Sequence, residues 1–296
     1  MRWHRALELL ARTRPEAALR ARAALDVLLD GCRAFSSSTL TSDRYPCELA
    51  FGGDGRVRYT VEVAAPSPAA RLDVSLARLA QLGAPSLDGR LHARLQSIAR
   101  SPRGYGAWVG GRHTQQSDDY KLYIEVSRDG RFQAERFARE LLGTWGAHRR
   151  HPLSMIGVEL SRSIIELYFR VEGSWPSDFG LAQVAAQAND ALELRDAWRA
   201  PRACGFSTAV TLERDVVATS LFGFAHQLVG ADAEVRARLL AFARARNWDF
   251  ADYEAITAPL ARGAERGLHG MLALISTGAP PTALRVGLSP PVEARA

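Results

Sequence analysis

Five pairs of β-strand patterns recur along the chain, and a helical pattern follows each of the first four pairs. Within each pair, apolar residues alternate with polar ones, which is the period of a strand with one dry face. The pairs recur at intervals of roughly fifty residues, which is typical of a repeated supersecondary unit. Ten consecutive antiparallel strands can close into a single barrel. The predicted hairpins span residues 47–63, 105–126, 155–171, 205–224 and 270–289.

The segments between the hairpins have the three-to-four spacing of amphipathic helices. We therefore predict an α+β fold, in which ten antiparallel strands surround a polar lumen and an outer ring of helices surrounds the strands. A single domain should cover residues 1–296, with residues 1–43 as a helical lead-in and residues 290–296 as a flexible tail. The predicted helices span residues 2–35, 69–82, 88–100, 131–146, 178–198, 231–246 and 250–266.

The alternation also predicts which face of each strand points inward. The second strand of a hairpin carries an apolar row that must pack against the helices that follow, so this row points outward. The polar row then lines the lumen. A charged lumen of this width is a ligand chamber and not a packed core. The predicted inward-facing residues are Arg58, Thr60, Glu62, Lys121, Tyr123, Glu125, Glu166, Tyr168, Arg170 and Arg285.

Lys121 is the only lysine in a chain whose other basic side chains are arginines and histidines. It lies in a strand pattern at residues 120–126, and Tyr123 and Glu125 belong to the same polar row. A row that holds a cation and a hydroxyl donor is suited to binding an anion. The row would also fit cross-strand ion pairs on a solvated sheet. The fivefold unit places the row inside and therefore favours the anion site.

The formal net charge of +6 favours anionic partners. The sequence has no dense basic run with interleaved aromatic residues, so we do not expect nucleic acid as a partner. The cysteines, Cys32, Cys47 and Cys204, are far apart and predict neither a zinc site nor a disulfide framework. The amphipathic N-terminus and the lack of a long apolar run favour a cytoplasmic protein with no membrane partner.

A fivefold αββα unit around a ten-stranded barrel resembles the ABBA prenyltransferases. Three short patterns are most similar to the cyanobactin-type peptide prenyltransferases within that group. The first is Cys47-Glu48-Leu49-Ala50 with Arg58 after the turn, and the second is Tyr120-Lys121-Leu122-Tyr123. The third is Ile156-Gly157-Val158 leading into Glu166-Leu167-Tyr168. The resemblance covers residues 44–289.

The resemblance implies roles for individual residues. Glu48 would be the general base that takes a proton from the acceptor, and Tyr123 stands where relatives carry a histidine. The expected diphosphate-binding residues are Arg58, Lys121, Tyr123, Tyr168, Arg170 and Arg285. The expected residues of the pocket for the prenyl group and the acceptor are Trp108, Phe206, Phe222, Phe224 and Gly287. We expect no residues dedicated to a metal.

Two positions depart from the pattern of the resemblance. Glu125 stands where we expect a cation, so it should pair with an arginine of the lumen or contact the acceptor. Gly287 stands in the last strand, where aromatic residues are common in relatives. The missing side chain predicts a roomier wall at this point.

These observations predict a transferase that moves a dimethylallyl or geranyl group from an allylic diphosphate to a nucleophilic side chain of a ribosomally made peptide, linear or macrocyclic. A small aromatic acceptor, an indole or a phenol, is the alternative. A barrel that binds an amphipathic ligand without turnover is a second alternative. We expect Mg²⁺ to enter with the diphosphate, no organic cofactor, and a monomer.

Overall fold

Ten antiparallel strands form a closed barrel in which each strand pairs with its neighbours in the sequence, and β1 pairs with β10. The computed structural model describes residues 2–31, 38–99, 104–143, 151–171, 204–262, 267–277 and 283–290. The strands are β1 Cys47–Gly52, β2 Val57–Val61, β3 Ala107–His113, β4 Asp118–Glu125, β5 Leu153–Glu159, β6 Ile164–Arg170, β7 Cys204–Val210, β8 Val216–Phe224, β9 His269–Ser276 and β10 Ala283–Leu288. The five predicted hairpins and the barrel are confirmed.

Two of the described helices precede the first hairpin, and the others lie between hairpins. They are α1 Arg2–Leu10, α2 Pro15–Leu28, α3 Arg71–Gln81, α4 Gly89–Ile98, α5 Arg131–Leu142, α6 Ala225–Leu228, α7 Asp232–Ala245 and α8 Ala251–Ile256, with a 3₁₀ turn at Ala258–Ala261. The predicted lead-in helix is two helices, because Pro15 begins a new one. The prediction for residues 250–266 was too long, since a 3₁₀ turn with Pro259 follows α8. The helix predicted for residues 178–198 lies outside the described residues. None of the described helices is long and apolar enough to cross a membrane.

The outward faces of the strands form the main hydrophobic core together with the helices. On β2, Val57 and Val61 are fully buried, and on β6 Ile165 and Leu167 are too. Burying the branched aliphatic row stabilises the barrel, because each such side chain contributes about 2 kcal/mol when it leaves water. The alternating polar row then has to face the lumen, as predicted. Sequence periodicity therefore determines which side chains meet inside the barrel.

A buried hydrogen-bond network fixes β9 to two helices. The ring of His269 lies between Asp232 of α7 and Tyr253 of α8, at 2.7 Å from the carboxylate and 2.8 Å from the hydroxyl. Asp232 also accepts the backbone N–H of His269 at 2.9 Å. All three side chains are almost fully buried, so an unsatisfied group here would be costly. The network fixes the backbone next to Gly270, the residue of β9 that lies beside Glu48 in the lumen.

Candidate active site

Two arginines face each other directly across the β2–β3 ladder. Arg58 is paired in register with Arg112, and like charges in this position repel. Acids offset the repulsion: Asp54 binds Arg58 through both carboxylate oxygens, and Glu159 accepts from Arg112 at 2.7 Å. Sequence reasoning missed Arg112, although its register opposite Arg58 follows once β3 is aligned. The strand pairing thus concentrates positive charge on the inner wall.

Lys121 extends this charge along the wall and is only 2% exposed. Its ammonium group binds Glu166 and lies 3.9 Å from Glu159. Burial raises the pKa of Glu166, but the charge of Lys121 and hydrogen bonds more than reverse this and lower the pKa to about 2. Glu166 is therefore ionised at neutral pH. We call Arg58, Arg112, Lys121 and Arg285 the cation cluster.

Arg58 carries a buried donor that has no partner among the described residues. Its side chain is 5% exposed, and its Nε atom is buried with no hydrogen-bond partner among the described residues. Burial, together with the charges of Arg285 and Arg112, lowers the pKa of Arg58 to about 10 against the raising effect of Asp54. A buried donor among repelling cations favours an anion as the missing partner.

Three aromatic rings lie beside the cation cluster, in the next layer of the lumen. The ring centres of Tyr123 and Tyr168 are 6.1 Å apart, and those of Tyr168 and Phe222 are 5.7 Å apart. Glycines on neighbouring strands make room for them: a Cβ atom at Gly110 would lie 2.9 Å from the Tyr123 ring, and one at Gly205 would lie 2.4 Å from the Phe222 ring. We call Tyr123, Tyr168 and Phe222 the aromatic belt.

The aromatic belt and the cation cluster meet at Lys121. The Nζ atom lies 5.2 Å from the centre of the Tyr123 ring and 5.6 Å from that of Tyr168. At these distances a ring attracts a cation by about 1 kcal/mol. The lumen therefore holds anion-binding and cation-stabilising groups in direct contact.

Glu48 projects from β1 into the lumen and lies against β9 and β10. A Cβ atom at Gly287 would be 2.4 Å from the Cδ atom of Glu48, and one at Gly270 would be 1.9 Å from Oε1. Its position inside the barrel, away from bulk water, raises the pKa of Glu48 to about 8. The side chain keeps partial exposure, as a group facing an open lumen should. The predicted roomier wall at Gly287 is wrong, because the Glu48 carboxylate fills that space.

Trp108 lies at the end of the barrel away from the hairpin turns. Its ring stacks on Tyr105 with a centroid distance of 3.8 Å, and its Nε1 donates to Glu62 at 3.3 Å. Glu62 is 2% exposed and is also paired with Arg71 at 3.1 Å and bound by the backbone N–H of Thr39 at 3.0 Å. These partners hold Glu62 in place, and its hydrogen bond in turn orients the Trp108 ring.

Glu125, the acid that stands in an expected cation position, accepts a hydrogen bond from the backbone. Its Oε2 accepts the N–H of Gly106 at 2.9 Å. No arginine among the described residues pairs with it. Glu125 therefore fastens the segment before β3, next to Tyr105, whose pKa is raised by burial and then by the charge of Glu125.

Three predicted site residues lie apart from the others. Phe206 faces outward and stacks on Phe169 at 4.9 Å within the core, so its assignment to the pocket is wrong. Phe224 is 46% exposed at the end of β8. Arg170 is exposed and lies four residues beyond Glu166, which is about 13 Å along the strand. The structure does not bring Arg170 to the cation cluster.

Solved structures with the same architecture are prenyltransferases. The chain is 19% identical to the prenyltransferase PriB in its apo form, with a TM-score of 0.73 and 97% of each chain covered. It is 19% identical to 6-dimethylallyltryptophan synthase from Micromonospora olivasterospora, solved with DMASPP and Trp, with a TM-score of 0.71 and 97% of each chain covered.

A third solved structure is 5-dimethylallyl tryptophan synthase from Streptomyces coelicolor, also solved with DMASPP and Trp. It is 19% identical, covers 98% of this chain and 96% of its own, and has a TM-score of 0.72. No protein-family model matches the sequence, and no curated protein gives a significant match. The chain has the ABBA prenyltransferase fold.

Proposed function

We propose that this protein transfers a dimethylallyl or geranyl group from an allylic diphosphate to a nucleophilic side chain of a peptide. The proposal rests on one observation. The cation cluster lies directly beside the aromatic belt, and within that cluster the buried Nε of Arg58 has no hydrogen-bond partner among the described residues. One wall offers positive charge to a diphosphate, and the next layer offers ring faces to a carbocation. The likeness to solved prenyltransferases supports the same chemistry.

The first step breaks the C–O bond between the allyl group and the diphosphate, and both electrons leave with the diphosphate oxygen. The cation cluster stabilises that departing charge at a site shielded from bulk water. The Tyr168 hydroxyl lies beside Glu166 and is kept protonated, because burial and then the charge of Glu166 raise its pKa. It is therefore a hydrogen-bond donor at every physiological pH.

The aromatic belt then shields the allylic cation. The faces of Tyr123, Tyr168 and Phe222 stabilise positive charge and exclude water, which would otherwise capture the cation. Trp108 lies directly across the β3–β4 ladder from Tyr123 and stacks on Tyr105, so it extends the aromatic surface toward the end of the barrel away from the hairpin turns. In this proposal the diphosphate lies toward the hairpin turns and the acceptor lies toward Trp108.

Glu48 completes the reaction as general base. The acceptor's electron pair forms the new bond to the allyl carbon, and the proton that the acceptor loses passes to the Glu48 carboxylate. A pKa of about 8 makes this carboxylate a much stronger base than an exposed glutamate. The shift follows from burial between the glycines of β9 and β10.

A small aromatic acceptor is the second candidate. It is favoured by the solved structures of the same fold that hold tryptophan together with a donor analogue. The cation cluster and the aromatic belt would serve both acceptors alike. The difference between the candidates lies at the end of the barrel near Trp108.

Mg²⁺ would accompany the diphosphate in this proposal. Among the described residues, no three side chains of His, Cys, Asp or Glu converge in a way that could hold a metal ion. The donor's own phosphate oxygens are hard ligands of the kind that Mg²⁺ prefers, and the ion would neutralise part of their charge.

Incubation with dimethylallyl or geranyl diphosphate and a set of acceptors tests the proposal. The set contains linear and cyclic peptides, free tryptophan and simple phenols, and mass spectrometry detects products. We expect one acceptor class to gain a single prenyl group. Lys121→Ala should abolish the gain, whereas Asp215→Asn, at an exposed turn outside the site, should retain it. Donor binding without product from any acceptor would instead identify a ligand-binding barrel.

A further inference from the structure

Asp54 lies in the turn between β1 and β2 and binds Arg58 with both carboxylate oxygens. The two contacts use both terminal nitrogens of the guanidinium group, the fork with which arginine binds a phosphate in bidentate geometry. The side chain of Asp54 is 44% exposed, whereas that of Arg58 is 5% exposed. The carboxylate therefore lies between the buried guanidinium and the solvent at the hairpin end.

The negative charge of Asp54 interacts with Arg285 of the cation cluster as well as with Arg58. Burial raises the pKa of Asp54, but the hydrogen bond and charge of Arg58, then the charges of Arg285 and Arg56, lower it below its usual value. Asp54 is thus an anion at neutral pH. It supplies the negative charge that a bound diphosphate would supply at the same place.

The turn around Asp54 allows the carboxylate to leave without disturbing the barrel. Asp54 has glycine on both sides, and Gly55 adopts a positive φ of 69°. Gly53 lies against the Trp248 ring, where a Cβ atom would be 2.6 Å from the nearest ring atom. The backbone is anchored there by packing, while the side chain of Asp54 is 44% exposed and can turn toward water once its contacts with Arg58 break.

We infer that Asp54 is an intramolecular competitor that the diphosphate must displace from the terminal nitrogens of Arg58 in order to bind them in addition to the free Nε. The inference rests on the proposed diphosphate site. Because the carboxylate and the diphosphate use the same fork, each weakens the apparent binding of the other. Asp54 therefore weakens the binding of the donor and, after the reaction, helps the product diphosphate to leave.

Calorimetric titration with inorganic diphosphate tests this competition in the full-length wild type, Asp54→Asn and Asp215→Asn. Asp215 is the matched control, since it is an exposed acid in the β7–β8 turn at the same end of the barrel. We expect Asp54→Asn to bind diphosphate about fivefold more tightly than the wild type, the size of a half-exposed ion pair. Asp215→Asn should bind as the wild type does.

Equal or weaker binding by Asp54→Asn would overturn the inference while leaving the diphosphate site intact. An equal gain in Asp215→Asn would also overturn it, because the effect would then be one of net charge alone. Arg58→Ala separates the two proposals. If the wild type and Arg58→Ala bind diphosphate equally, or neither binds it, the diphosphate site itself is wrong and this inference falls with it. Damage to the fold does not explain a gain in affinity.

Discussion

The carboxylate of Glu48 occupies the space beside Gly287 in which a side chain would lie. The Cβ atom of any other residue at position 287 would be 2.4 Å from the Glu48 Cδ atom. Gly287 is paired with Ala50 on β1, so it lies diagonally across the β1–β10 ladder from Glu48. The missing side chain in β10 thus determines where the proposed base points.

Gly287→Ala should therefore displace Glu48 and impair the proton-transfer step. We expect kcat to fall by about tenfold or more, with little change in the KM for the donor, because the cation cluster is untouched. Steady-state kinetics measure both constants. Gly89→Ala is the control, since no atom lies within 4 Å of its added Cβ. Wild-type kcat in Gly287→Ala would contradict the assignment.

The pKa of Glu48 predicts the pH dependence of the reaction. A base with a pKa of about 8 is mostly protonated at neutral pH, so kcat should rise with pH and level off above about pH 8. The pH profile of kcat measures this. In Glu48→Gln the rise should disappear together with most of the activity. A profile that is flat from acid to neutral pH in the wild type would exclude Glu48 as the base.

Glu48 should also make stability depend on pH. Its pKa is raised in the folded state, so the folded protein holds a proton that the unfolded chain releases above its usual value of about 4.5. The stability that Glu48 contributes is fully present below about pH 4.5 and is lost as the pH rises through about 8. Glu48→Gln should therefore raise Tm relative to the wild type in alkaline buffer and not in acid. An equal change at both pH values would contradict this linkage.

Glu166→Gln should destabilise the protein, because Lys121 would keep a buried charge whose one remaining acidic partner among the described residues is Glu159 at 3.9 Å. We expect a loss of about 3 kcal/mol in the free energy of unfolding, measured by denaturant titration. Lys121→Met in the same chain should restore much of this stability without restoring diphosphate binding.

The stability that Glu166 contributes to the folded protein should be lost in acid. The pKa of Glu166 is lowered to about 2, so the stability it contributes is complete above about pH 4.5 and declines as the pH falls toward 2. The difference in Tm between the wild type and Glu166→Gln should narrow over this range. A difference independent of pH would show that the Lys121 pair does not stabilise the fold through its charge.

Glu62→Gln should affect the acceptor and not the donor. The substitution weakens the pairing with Arg71 and releases the Trp108 ring, so we expect the KM for the acceptor to rise several-fold at unchanged donor binding. Kinetics with each substrate varied in turn separate the two effects. Glu140→Gln, in an exposed pair on α5, is the control. A parallel loss of donor binding would contradict a role confined to Trp108.

The barrel and the inward row of β2, β4 and β6 were predictable, because their apolar and polar residues alternate without interruption. On β7 the prediction failed. Both faces of this strand are apolar or small, so nothing in the pattern marked Phe206 as outward. Arg112 was missed for a related reason, since two glycines precede it and conceal the period of β3.

The ion pairs of the lumen were beyond sequence reasoning for a different reason. The partners of Lys121 and Arg112 come from β5 and β6, and only the register of a closed barrel brings Glu159 and Glu166 beside them. The same holds for Glu48, whose raised pKa depends on glycines more than two hundred residues away in the sequence. Local periodicity determines on which face of the sheet a side chain lies, whereas strand register determines which side chains it contacts.

The most direct test of the central claim is the rate of diphosphate release from dimethylallyl or geranyl diphosphate in the presence of an acceptor. The wild type should release diphosphate and form prenylated product in equal amounts. In Arg58→Ala the rate should fall by about a hundredfold or more, because a buried cation that stabilises the departing charge is removed. Release that persists unchanged in Arg58→Ala, or a wild type that releases none with any donor and acceptor, would contradict the account.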